Sequence, residues 1–93
     1  MDRPEMPQGL ALTRTTPEFT AATVPAALLG AHKVADGVWG RLCVHFGSVR
    51  FVFEDAPDDA VEVGAGEHLD IPPMRAHHVE PDDAAVFVVE FFH

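Results

Sequence analysis

The sequence predicts an all-β fold, an antiparallel sandwich or barrel of about seven or eight short strands. Three observations carry that prediction. Apolar and polar residues alternate with period two through most of the chain. Gly or Pro recurs between the alternating runs, as turns between short strands require. Seven Phe and many Val favour a pleated surface, and beyond Pro25 no window holds a 3.6-residue period.

Each element can be justified in order. Residues 1–9 are polar, carry Pro4, Pro7 and Gly9, and read as a flexible N-terminal arm. Residues 10–93 then read as one domain without linker, repeat or low-complexity tract. Leu10 and Leu12 alternate with Ala11 and Thr13 in a short strand. Thr16-Pro17-Glu18 suits one helical turn, with Thr16 as cap and Pro17 in the first position, and Pro25 ends it. Over 26–34 a strand is predicted with Leu28, Gly30, His32 and Val34 on one face. Over 37–46, Val38, Gly40, Leu42, Val44 and Phe46 oppose Trp39, Arg41, Cys43 and His45. Gly47-Ser48 turns the chain into a strand over 49–54. Asp55 to Asp59 form an acidic turn, and a short strand follows over 61–63. Leu69 and Ile71 alternate with His68 and Asp70 before Pro72-Pro73. His77 and Val79 then share a face against Ala76, His78 and Glu80. The last strand, 85–92, is apolar on both sides except at Glu90.

Composition excludes several classes. The 93 residues suffice for one domain, and chains of this size bury only about 60–65% of their unfolded surface. Fifteen Asp and Glu against six Lys and Arg give a net charge of −9, which repels phosphate backbones and anionic membranes. No apolar run approaches the roughly 20 residues of a membrane helix, and no signal peptide is visible. Cys43 is alone and has no intramolecular partner. A cytoplasmic location is the expectation.

Chemistry concentrates in the histidines at 32, 45, 68, 77, 78 and 93. His68 and His93 read as solvated. His32 and His77 share faces with core-type aliphatics, where an unpartnered imidazole costs roughly 1–3 kcal/mol. Each is therefore either a satisfied core residue or part of a site. Glu90 interrupts V-F-V-V-E-F-F, a context that demands a partner. That partner is either Arg41, as an ion pair, or a metal. Two His and one carboxylate are the ligand set of non-haem iron sites and also suit zinc. The predicted metal ligands are thus His32, His77 and Glu90, with Arg41, Cys43, His45 and His78 as further pocket candidates. Cys43 reads more simply as a structural thiol. Gly64-Ala65-Gly66 is no dinucleotide loop, and no serine sits in a nucleophile elbow.

The segment G-E-H-L-D-I-P-P-M-R-A-H-H resembles the second cupin motif, through Gly66, Pro72 and His77. It departs at Met74, where that motif has glycine, and in lacking the later Asn. The first motif is incomplete: Gly40 stands where its Glu belongs, and only His32 lies near its His pair. From about residue 13 onward the chain resembles the TehB/YeaR-like domain, a cupin relative linked to tellurite resistance and nitrosative stress. The resemblance rests on T-R-T-T-P-E-F at 13–19, V-P-A-A-L-L-G-A-H at 24–32, G-V-W-G-R-L at 37–42, I-P-P-M-R-A-H-H-V-E-P at 71–81 and V-F-V-V-E-F-F at 86–92. It implies a cupin-type double-stranded β-helix, a small jelly roll, with a pocket lined by His32, His77 and Glu90. Some proteins of the TehB name carry a methyltransferase; with neither the length nor the glycine-rich nucleotide loop for one, this sequence is expected to lack it.

Three functions compete on this reading. The first is a metal-binding module holding one divalent ion, zinc before iron or nickel, with open positions for a small molecule or oxyanion. The second is an iron(II) enzyme activating dioxygen on a small substrate. The third is a metal-free binding or structural module, in which Glu90 pairs with Arg41. A homodimer through Trp39, Val52 and Phe92 is a further expectation.

Overall fold

The computed structural model describes residues 3–93; Met1 and Asp2, the first two residues of the expected arm, lie outside the described residues. Eight strands form: β1 (Leu12–Thr15), β2 (Phe19–Thr20), β3 (Trp39–Phe46), β4 (Ser48–Phe53), β5 (Val61–Gly64), β6 (His68–Ile71), β7 (His77–Pro81) and β8 (Val86–Phe92). One helical turn, α1 (Ala26–Leu29), and a 3-10 turn at Pro57–Asp59 complete the elements. One sheet runs β1-β8-β3-β6, with β2 also on β8, and the other β5-β4-β7. All pairings are antiparallel. The result is a β-sandwich of jelly-roll type.

The alternation in the sequence explains the layers. Leu42, Val44, Phe87 and Val89 point inward from the first sheet, while Val49, Phe51, Val63 and Val79 point inward from the second. Phe51 and Phe87 are the largest fully buried side chains. At roughly 25 cal/mol per Å² of apolar surface, each fully buried Phe contributes about 1.5–3 kcal/mol. The chain changes sheets at Gly47 (φ 66°), where a Cβ would lie 2.5 Å from the Ala84 carbonyl carbon. No other residue fits that corner without backbone movement.

Two elements differ from expectation. The 26–34 stretch is not a strand. Pro25 presets φ at −59°, and Ala26-Ala27-Leu28-Leu29 are strong helix formers, so the chain makes one turn, with Leu28 N donating to Pro25 O at 3.0 Å. Only His32 pairs in a β manner, as an isolated bridge to His77. Thr16-Pro17-Glu18 forms no helical turn either. Thr16 N donates to Val89 O and its Oγ1 accepts from Val89 N, both at 3.0 Å, so Thr16 bridges β1 and β2 along β8. Val52 is 4% exposed within this one chain, which removes it from the surface expected to meet a second copy; Trp39 and Phe92 are half-buried.

Candidate functional site

A cavity of about 260 Å³ opens between the two sheets. Its walls are apolar: Leu42, Phe87, Val89 and Phe91 from the first sheet, Phe51 and Val79 from the second, and Leu28 from α1. Its polar lining is confined to His32, His77, Arg14 and Thr16. No Asp or Glu lines it.

The two histidines are brought together by backbone. His32 N donates to His77 O and His77 N to His32 O, both at 2.8 Å. Their rings stand edge-on, with centroids 5.6 Å apart. His77 also stacks on Phe51, at 5.0 Å and 23°. It is 3% exposed, and burial pushes its imidazole below the ordinary value, His32 adding to the effect and the Arg75 carbonyl opposing it. His77 is therefore neutral near pH 7. Its Nδ1 lies 3.0 Å from the Arg75 carbonyl oxygen, which only accepts, so Nδ1 carries the proton and Nε2 the lone pair. No described residue hydrogen-bonds Nε2, and no sealed side-chain nitrogen or oxygen lacks a partner, so Nε2 reaches open cavity. Arg75 is itself anchored, its guanidinium 2.9 Å from Asp55 and 3.8 Å from the Phe53 ring centroid.

Glu90 does not join the pair. Along β8, Phe87, Val89 and Phe91 face the cavity, so Val88, Glu90 and Phe92 face the other way. Glu90 sits opposite Arg41 in register and accepts from Cys43 Sγ at 3.5 Å. Its expected ion pair is also reassigned: Arg41 Nε bonds Asp70 at 2.8 Å and stacks over Phe92. Among the described residues no group of three or more His, Cys, Asp and Glu could hold a metal ion. A three-ligand site of His32, His77 and Glu90 is thus not assembled.

The other candidates also lie outside the cavity. Cys43 is on the Glu90 face, where burial first, and Glu90 second, push its thiol up to about 11. His45 is exposed and bonds Glu18 at 2.8 Å. His78, one residue from His77, points to the opposite face of β7 and bridges Glu54 and Glu80, which raise it above the ordinary value. Sequence reasoning missed Arg14, because an Arg on an exposed strand reads as solvated. Its cue was the aromatic Phe91, whose ring centroid lies 4.8 Å from the Arg14 guanidinium carbon.

The fold and site together define a small β-sandwich with an apolar cavity headed by two imidazoles. The TehB-like domain model matches residues 14–89, and the chain belongs to that family. It is 31% identical over 97 residues to the protein YeaR of Escherichia coli, covering 95% of this chain and 82% of the relative. A crystal structure of an Escherichia coli protein is 30% identical and superposes with a TM-score of 0.87, over 96% of this chain and 95% of that one. TehB from Haemophilus influenzae superposes with a TM-score of 0.83 at 23% identity, over 94% of this chain and 32% of that protein, a likeness of fold alone.

Proposed function

We propose that this domain is a small-ligand-binding module and that the cavity between its sheets is the binding site. The observation that carries this is the neutral His77, with Nδ1 committed to the Arg75 carbonyl and Nε2 left as an acceptor on an apolar cavity. A hydrogen-bond acceptor against greasy walls suits a compact apolar molecule carrying one donor. Phenol is a suitable probe. It should shift the Val34, Val79 and Val89 methyl resonances and the His77 Nε2 resonance saturably, and Val89→Phe, which fills the cavity, should abolish the effect. No saturable shift from phenol would refute the proposal.

A second reading, a divalent metal ion on His32 and His77, is favoured by one feature. Metal-bound imidazoles commonly donate their second N–H to a carbonyl, as His77 does to Arg75. The chain supplies only two donors there, so water or a small ligand would complete the coordination. Zinc titration tests it: one ion per chain, lost in both His32→Ala and His77→Ala and retained in Glu90→Gln. No saturable uptake would end this reading.

A further inference from the structure

The chain carries a net charge of −9 and only six cationic side chains. Three of these are neutralised in ion pairs: Arg41 with Asp70, Arg50 with Glu80 and Arg75 with Asp55. Arg3, Arg14 and Lys33 have no carboxylate partner among the described residues. Arg3 lies away from the cavity, and Arg14 and Lys33 lie at it or beside it. Arg14 lines it directly. A neighbouring shelf shares Arg14, His32, Val34 and Phe91 with the cavity and adds Lys33 and His93. No Asp or Glu side chain lines either the cavity or the shelf. In so acidic a chain, two uncompensated cations at one mouth make a local positive field. Arg14 is also held over Phe91, which limits the ordering needed when it meets a ligand.

We propose that the ligand is an anion with an apolar body, a small aromatic or aliphatic carboxylate, entering body first with its charge left at Arg14 and Lys33. The walls supply burial for the body, and the mouth supplies the counter-charge. A purely inorganic oxyanion would leave the apolar walls unused, and a cation would meet two like charges on entry.

This rests on the cavity being a ligand site, and the experiment separates the two ideas. Chelator-treated protein at low salt is titrated with benzoate, benzamide and sulfate, and backbone amide shifts are followed. Benzoate should shift Phe87, Val89, Phe91 and His77. Benzamide should shift the same residues with about fivefold weaker affinity, the size of one solvent-exposed ion pair. The double variant Arg14→Gln, Lys33→Gln should erase benzoate's advantage over benzamide, and an unchanged amide spectrum away from the cavity shows that the variant is folded. Equal binding of benzoate and benzamide, or an unaffected double variant, overturns anion selection while the ligand site stands. Sulfate binding without benzoate binding overturns the apolar body. If neither aromatic binds, this proposal falls, and the phenol titration decides whether the ligand site falls with it.

Discussion

His32 and His77 are coupled twice, through reciprocal 2.8 Å backbone hydrogen bonds and through an edge-on ring contact at 5.6 Å. The backbone pair fixes the α1-to-β3 connection on β7, so the His32 ring is set in place by a strand far from it in sequence. The His77 ring is fixed by Phe51 on one side and the Arg75 carbonyl on another.

Adjacent histidines should act on stability with opposite signs. Burial lowers His77 from 6.5, so the unfolded chain binds the extra proton and stability falls as pH drops through about 6.5. Glu54 and Glu80 raise His78 from 6.5, so the folded chain holds the extra proton and stability falls as pH rises from about 6.5 through the folded value. Urea midpoints from pH 5 to 8 should show both limbs. His77→Phe should flatten the acid limb alone and His78→Gln the alkaline limb alone. Identical profiles for both variants and wild type would contradict the environments described.

Cys43 should be a sluggish nucleophile. With its thiol at about 11, only about one molecule in a thousand is thiolate at pH 8. Iodoacetamide should alkylate it at least about a hundredfold more slowly in the folded chain than in urea, with a midpoint near 11. Glu90→Gln should speed the reaction without normalising it, because burial is the larger cause. An unchanged rate in that variant would show that Glu90 does not face Cys43.

Two backbone positions should respond oppositely to substitution. Gly47→Ala places a Cβ against Ala84 and Ala85 backbone at positive φ and should cost at least about 2 kcal/mol in denaturant unfolding. Met74 is exposed and holds φ 63°, the one non-glycine residue at positive φ among the described residues. Met74→Gly should gain up to about 1 kcal/mol, because the left-handed strain it removes exceeds glycine's added unfolded-chain entropy. A loss there would mean that the Met74 side chain contributes packing its 53% exposure does not suggest.

Much of this was legible in the alternation. β3 to β7 were visible because each alternates about one core face, β8 was visible as an apolar run after a turn, and His77 was visible because it shares its face with Val79; His32 was picked on an alternation that no strand underlies. Glu90 was misplaced for a physical reason: V-F-V-V-E-F-F is apolar on both faces, so parity gives no inside or outside. The 26–34 stretch misled because Leu28, Gly30, His32 and Val34 alternate by accident, while Pro25 and the Ala-Leu run set a helical turn locally. The left-handed backbone at Met74 was not foreseen, because a methionine carries no cue for that conformation.

The position of β8 governs how the chain reaches this state. It lies between β1 and β3, with Leu12 facing Phe92 and Trp39 facing Phe92 on the other side. A ribosome-bound chain that stops short of Val86 therefore holds β1 and β3 with no strand to join them, and the inner layer lacks Phe87 and Val89. Folding must wait for the last strand to emerge. It should then be slow for so short a chain, on the order of milliseconds to seconds, because its decisive pairings close nearly the longest loop the sequence allows.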